Sequence, residues 1–259
     1  MALVAIDGFD LYNGTGANTG MQARWLAYAG PNYTLVAGRF GGQAFAASST
    51  NSQGSLRLNF PAAYASLTVG HALRLTVMPT LGVGTVHPFM MLMTGGVGFQ
   101  VGARVNADGA IEVYRLTSAS AGTLLGTSAN GVIALNTWHY IECEVTISDT
   151  VGVFSVWVDG VQRLNLTGQD TRNGAPTTVD AIVIGNISAA AGQGTHQFDD
   201  LYVNDTASKI GERRVETLYP TSDVTQVFAR SAGAVNFSLV DEAQVNGDTD
   251  YVQGSVVGA

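Results

Sequence analysis

The stretch IECEVTI, residues Ile141–Ile147, alternates apolar and polar side chains with a period of two. This period places the two sets of side chains on opposite faces of a β-strand. The same alternation recurs at Leu56–Phe60, Leu73–Val77 and Phe99–Val105. It predicts antiparallel sheets with one covered face. The lone cysteine, Cys143, belongs to the apolar set, so we expect it to be a small buried side chain.

Turn signals separate these strands. Asp108-Gly109 and Asp159-Gly160 each lie between two apolar runs, and Asp-Gly is typical of tight hairpins in which both central residues have positive φ. No segment has a convincing helical period. The sequence therefore predicts an all-β protein, an antiparallel β-sandwich or barrel.

Composition excludes several classes of protein. With 46% hydrophobic and 12% charged residues, the chain is unlike a disordered one. A net charge of −8 argues against nucleic acid as a partner. Residues Leu75–Ala103 contain no charged side chain, but Pro79, Pro88 and several glycines interrupt them. Because proline and glycine break helices, we expect strands and turns there, and no membrane insertion.

Charge is distributed unevenly along the chain. Residues 1–107 carry a net charge of +3 and residues 108–259 carry −11, and Asp241–Ala259 contains four acids and no base. The strand pattern weakens after Tyr219-Pro220. We predict a sandwich domain over residues 1–218 and an acidic C-terminal extension over residues 219–259. The extension is either solvated or an arm that contacts another subunit, and the arm is our prediction.

Three segments in order resemble a known family: Asn136–Val145, Gly152–Gly160 and Gln197–Asp205, the last containing Phe-Asp-Asp-Leu-Tyr-Val. Together with Asp7–Asp10 and Gly211–Pro220, they resemble concanavalin A-like lectin/glucanase domains of the laminin-G-like branch. The version with Phe-Asp-Asp-Leu-Tyr-Val is similar to one in tailed-bacteriophage virion proteins. The resemblance implies a jelly roll of two curved antiparallel sheets.

The same resemblance implies a function. The expected role is that of a non-enzymatic structural protein of a phage particle, in the tail, the tail tip or a head decoration. Its expected location is the virion, and its expected partners are other virion proteins and copies of itself. The alternative is a carbohydrate-binding module for host-surface glycans, for which Trp25, Trp138 and Trp157 could supply stacking rings. A glycan hydrolase is the third hypothesis.

Two acidic pairs are candidate sites. Asp199 and Asp200 are adjacent, so on a regular strand they point to opposite faces; they are either structural carboxylates or ligands of calcium. Glu142 and Glu144 share a strand face, but the third acid that some glucanases of this superfamily carry is missing, so we interpret them as solvated.

The four histidines are His71, His87, His139 and His196, and none has metal-binding spacing. We therefore assign no catalytic, cofactor-binding or metal-binding residue, and expect no cofactor. In Val153–Val158 both faces carry large apolar groups. This predicts that either the chain's own loops or another subunit cover the outer face.

Overall fold

The structure is a computed structural model that describes residues 2–12, 21, 24–47, 54–81, 86–95, 98–187, 192–216, 229–230 and 252–253. The strands are β1 (Leu3–Asp7), β2 (Leu26–Pro31), β3 (Tyr33–Ala37), β4 (Gln43–Ala47), β5 (Gly54–Tyr64), β6 (Ser66–Val77), β7 (Met90–Thr94), β8 (Gly98–Val105), β9 (Ile111–Ser118), β10 (Ala121–Thr127), β11 (Trp138–Thr146), β12 (Gly152–Val158), β13 (Val161–Gln169), β14 (Val179–Asn186), β15 (Thr195–Asn204), β16 (Ala229–Arg230) and β17 (Val252–Gln253).

Two antiparallel sheets face each other. The eight-stranded sheet has the order β13-β12-β11-β6-β15-β4-β3, with β1 also paired to β15. The seven-stranded sheet has the order β10-β9-β8-β7-β14-β5-β2. The predicted all-β antiparallel sandwich is therefore confirmed, and β11 and β12 are neighbours in it.

The inner faces of both sheets form one core. Leu56 on β5, Val101 on β8 and Cys143 on β11 are all fully buried in it, as their alternation predicts. Burial raises the pKa of the Cys143 thiol, which keeps it protonated. Val77 departs from the expected pattern, because it is the last residue of β6 and its side chain is about half exposed.

The two Asp-Gly turns differ. Asp159 and Gly160 both have positive φ, as expected for a tight hairpin between β12 and β13. At the other turn only Gly109 does, because the loop is wider. There Asn106 accepts hydrogen bonds from the backbone N–H groups of Asp108 and Ala110 through its side-chain oxygen, each at 3.0 Å. The Asn106 side chain thus holds the turn through these two hydrogen bonds, and Asp108 does not adopt a positive φ.

Residues 205–216, here called the strap, cross the outer face of the eight-stranded sheet. The Glu142 carboxylate accepts hydrogen bonds from Gly211 N–H at 2.8 Å and from the Tyr202 hydroxyl at 2.5 Å. Glu144 accepts one from Lys209 N–H at 2.8 Å. Glu142 is only 1% exposed. The interpretation of these two glutamates as solvated is therefore wrong, because the strap covers them and uses them as backbone acceptors.

The strap also explains the two-sided strand β12. Trp157 points outward from β12, and the ammonium group of Lys209 lies 5.8 Å from the centre of its ring. Ile210 packs on the same outer face, against Tyr140 and Tyr202. Of the two alternatives, cover by the chain's own residues is the one observed at Trp157.

Most of the predicted extension, 219–259, lies outside the described residues, apart from the paired strands β16 and β17. The domain boundary near Tyr219 stays a prediction. Over the described residues, no helix is both long and apolar enough to cross a membrane.

Candidate functional site

Asp199 and Asp200 line the same cavity, contrary to the expectation that they point to opposite faces. Asp200 has a φ of +51°, and the pairing of β15 with β6 shifts register between Asp199 and Tyr202. This β-bulge breaks the period of two. Both carboxylates, together with Asp10, line a small cavity of about 120 Å³, here called the acidic pocket.

Backbone and guanidinium groups hold the carboxylates of the acidic pocket. Asp199 accepts hydrogen bonds from the N–H groups of Arg39 and Asp200, both at 2.8 Å. Asp200 accepts one from Val215 N–H in the strap, also at 2.8 Å, and Arg39 Nη1 lies 3.8 Å from its other oxygen. These contacts tie the β3–β4 turn and the strap to β15, which fits the structural interpretation of the pair.

Burial raises the pKa of Asp199 to about 7, and the nearby carboxylates of Asp200 and Asp10 add to the shift. Hydrogen bonds from backbone N–H groups oppose it. Burial also raises the pKa of Asp200, against the opposing effects of Val215 N–H and Arg39. Asp199 is therefore expected to titrate near neutral pH in the folded chain.

The described residues do not fit the calcium alternative. Among them, no group of three or more His, Cys, Asp or Glu side chains is arranged to hold a metal ion. Calcium takes six to eight oxygen ligands, whereas here Arg39 provides the counter-charge and backbone N–H groups occupy three carboxylate oxygens.

Asp199→Asn is expected to change how stability depends on pH. A carboxyl group whose pKa is raised to about 7 in the folded chain, from 3.8, binds more protons folded than unfolded between these values. Stability is therefore lost as pH rises through this range. Between about pH 5 and about pH 8 the wild type should lose about 3 kcal/mol relative to Asp199→Asn. Urea denaturation at both pH values measures this, and parallel pH profiles would contradict it.

A second cavity opens at the end of the seven-stranded sheet, and we call it the polar pocket. Arg57, Asn59 and Phe60 from β5, Asp180 from β14 and Gly95 from the turn after β7 line its volume of about 270 Å³. Leu56 and Leu58 of β5 point into the core, so strand alternation directs Arg57 and Asn59 to the outer face. The volume of the pocket lies just below the range that is typical of small-molecule sites.

The polar pocket combines a cation, an amide and a carboxylate. Arg57 Nε donates a hydrogen bond to Asn59 Oδ1 at 2.7 Å, and Gly95 N–H donates one to Asp180 Oδ2 at 2.9 Å. The other oxygen of Asp180 is buried and accepts no hydrogen bond. Such a set can donate to and accept from the hydroxyl groups of a sugar. In the sequence, Arg57 and Asn59 are only the polar positions of the alternation in Leu56–Phe60, because nothing local connects them to Asp180.

The histidines occupy separate environments. His71 and His196 are buried and both contact Phe198, at ring-centre distances of 5.5 and 6.2 Å. His139 contacts the Asp159 carboxylate at 2.7 Å. The pKa of His87 is lowered by burial and by the charge of Arg104. The shared contact of His71 and His196 with Phe198 could not be predicted from the sequence, because the two histidines lie on different strands, β6 and β15.

No protein-family model matches the chain, and no curated protein sequence matches it. Solved structures share its fold. An endo-β-1,4-glucuronan lyase from the fungus Trichoderma reesei superposes with a TM-score of 0.51 at 14% identity, over 79% of this chain and 99% of the lyase. The cellulose-induced protein Cip1 gives 0.50 at 14% identity, over 71% of this chain and 93% of Cip1.

A third structure is the binding domain of Paraclostridial Mosquitocidal Protein 1, with a TM-score of 0.52 at 13% identity. The match covers 80% of this chain and 49% of that one. Together these likenesses define the class of protein: a two-sheet β-sandwich of the jelly-roll type, a fold that carbohydrate-active proteins use.

The comparison corrects the expectation of a non-enzymatic protein. A polysaccharide lyase stands among the structural neighbours, so the fold is one on which glycan chemistry occurs. The missing third acid after Glu144 argues only against the three-acid pattern of some glucanases. A lyase with this fold need not carry that pattern. At 13–14% identity these likenesses show the fold, and both the carbohydrate-binding alternative and the phage structural role stay predictions.

Proposed function

We propose that this protein binds a polysaccharide at the polar pocket. The observation that carries the proposal is the convergence of Arg57, Asn59 and Asp180 in one open cavity at the end of the seven-stranded sheet. Polar groups that converge in a pre-formed cavity are typical of small-ligand sites. The acidic pocket is a weaker candidate, because its volume is less than half as large and three of its carboxylate oxygens already accept backbone N–H groups.

The fold supports the proposal. The neighbour from Trichoderma reesei is named for its action on glucuronan, a polysaccharide. A sandwich of this type presents an outer sheet face on which a sugar chain can lie, while the core stays intact. Fold alone does not assign function, so the pocket residues carry the argument.

Arg57→Ala is expected to weaken polysaccharide binding about tenfold or more, because a hydrogen bond from a charged donor contributes about 1.5–3 kcal/mol. Affinity electrophoresis against a panel of polysaccharides identifies a binder, and calorimetry then compares the variants. The matched control is Arg172→Ala, which removes an arginine paired with Asp149 outside the pocket. Equal affinity for Arg57→Ala and wild type would place binding elsewhere. Product formation on the same panel tests for cleavage.

We also propose that the protein is a component of a tailed-phage virion, with other virion proteins and copies of itself as partners. The support is the resemblance of Asp7–Asp10 and Gln197–Asp205 to phage proteins. These two segments are neighbours in the fold, where Asp7 pairs with Leu201. Immunogold electron microscopy of phage particles with antibody against the chain is the test. Absence of label on particles with an accessible epitope would reject this placement.

A further inference from the structure

We propose that the outer face of the eight-stranded sheet carries a separate site for a negatively charged sugar of a polysaccharide. The site combines an aromatic ring, an amide and two cations. We call it the Trp157 face, and its residues are Trp157 on β12, Gln162 and Arg163 on β13, and Lys209 in the strap. It belongs to the other sheet from the polar pocket, so it does not rest on the proposed function.

The pairing of β12 with β13 places Gln162 and Arg163 on the side of Trp157. Trp157 points outward and Gln162 is its cross-strand partner, and such partners share a face of the sheet. The register shifts between Val156 and Trp157, a β-bulge that leaves Arg163 as the extra residue. The next residue, Leu164, faces the core, so alternation directs Arg163 outward as well. Two exposed polar side chains therefore lie on the face of one aromatic ring.

The two cations of the Trp157 face have no counter-ion within the described part of the chain. Lys209, the single lysine of the sequence, has its ammonium group 5.8 Å from the centre of the Trp157 ring. Arg163 is exposed. Neither belongs to any ion pair that the described residues form. An anionic ligand would therefore be attracted to both without displacing an existing partner.

The acids nearest to the Trp157 face are engaged within the chain. Glu142 is buried under the strap and accepts a hydrogen bond from Gly211 N–H at 2.8 Å. Glu144 accepts one from the backbone of the strap, also at 2.8 Å. Asp159, in the turn between β12 and β13, accepts one from Tyr140 N–H at 2.8 Å. These carboxylates hold the backbone in place, whereas the two cations have no such contact and remain for a ligand.

The groups of the Trp157 face match an acidic sugar. The C–H groups of a sugar ring can pack on the apolar surface of the Trp157 indole. A carboxylate or sulfate on that sugar accepts hydrogen bonds from Lys209 and Arg163. Sugar hydroxyl groups can donate to and accept from the exposed amide of Gln162. An uncharged sugar would make the ring and amide contacts but would gain nothing from the two cations.

The test measures binding of the full chain to dextran, dextran sulfate and alginate by affinity electrophoresis and calorimetry. Dextran and its sulfate share a backbone and differ in charge. We expect dextran sulfate or alginate to bind about tenfold or more tightly than dextran, and the one that binds identifies the anion as sulfate or carboxylate. Polyglutamate, a polyanion without sugar rings, should bind about tenfold more weakly than that polysaccharide.

Lys209→Gln and Arg163→Gln are the diagnostic variants, since each removes one charge and Lys209→Gln keeps the backbone N–H that donates to Glu144. Each should weaken binding of the acidic polysaccharide about threefold or more. Trp157→Ala should weaken it about tenfold. The matched control is Arg172→Gln, which removes an arginine that is paired with Asp149 and should leave the affinity unchanged.

Several results would overturn the inference. Equal binding of dextran and dextran sulfate would remove the role of charge, and equal binding of polyglutamate would remove the role of the sugar ring. Unchanged affinity in both Lys209→Gln and Arg163→Gln would place the ligand elsewhere. If only Arg57→Ala weakened binding of the acidic polysaccharide, the ligand would belong to the polar pocket, and the proposed function would stand without a separate site.

Discussion

Asp7→Ala is expected to destabilise the protein by about 3 kcal/mol or more, because it removes a buried carboxylate that accepts three hydrogen bonds. The Asp7 carboxylate is buried and accepts hydrogen bonds from Phe9 N–H at 2.8 Å, the Tyr12 hydroxyl at 2.6 Å and Trp25 Nε1 at 2.7 Å. Alanine leaves three buried donors unsatisfied, and each costs about 1–3 kcal/mol.

Tyr12 is a reliable donor to this carboxylate. Burial, and next the charge of Asp7, raise the pKa of Tyr12, so its hydroxyl keeps its proton at neutral pH. Trp25 also stacks on Phe9, with ring centres 5.8 Å apart. Loss of Asp7 therefore removes the hydrogen-bond acceptor of two aromatic side chains of the core, Tyr12 and Trp25.

Urea denaturation followed by tryptophan fluorescence measures the effect of Asp7→Ala. The matched control is Asp149→Ala, which removes an exposed carboxylate paired with Arg172 and should change stability by less than about 1 kcal/mol. A loss below about 1 kcal/mol for Asp7→Ala would show that the three donors find other partners.

Acidification is expected to unfold the protein through His71 and His196. Burial lowers the pKa of His71 to about 4 and of His196 to about 3, from 6.5. Between these values the unfolded chain binds more protons than the folded chain, so stability falls as pH falls from about 6.5. One pKa unit corresponds to about 1.4 kcal/mol, so the two histidines together can remove several kcal/mol by about pH 4.

The packing around His71 and His196 disfavours protonation of their imidazole rings. His71 packs against both Phe89 and Phe198, with ring centres 5.8 and 5.5 Å away, and its Nε2 is buried with no hydrogen-bond partner among the described residues. His196 Nδ1 pairs with Asn186 Oδ1 at 2.7 Å. A protonated ring would place a positive charge among aromatic side chains, which is costly without a counter-charge.

The measurement is the free energy of unfolding in urea at several pH values between about 4 and about 7. His196→Gln keeps a polar contact to Asn186. It should reduce the slope of the free energy of unfolding against pH at acid pH by the amount that corresponds to about one bound proton. Asp199 acts in the opposite direction over part of this range, so Asp199→Asn should steepen the decline. Constant stability of the Asp199→Asn variant down to about pH 4 would contradict the expectation for the two histidines.

The alternation of apolar and polar residues correctly predicted which side chains of the regular strands face the core, but it failed at a β-bulge. The apolar sets of β5, β8 and β11 reach the core as predicted, because a period of two assigns faces without knowledge of the partners. The same reasoning failed at Asp199 and Asp200, where one residue of positive φ sends both carboxylates into one cavity. A pair of aspartates carries no sequence signal that distinguishes a regular strand from a bulge.

The sequence by itself determined the all-β class, the antiparallel strands, the burial of Cys143 and the tight turn at Asp159-Gly160. Each of these depends on neighbours in sequence, through strand periodicity or the backbone preference of glycine. Only the tertiary structure decided that the strap covers Glu142, that His71 and His196 share one aromatic cluster, and that Arg57 and Asn59 meet Asp180. These features join residues from distant strands, and the pairing of strands across a sheet places them together.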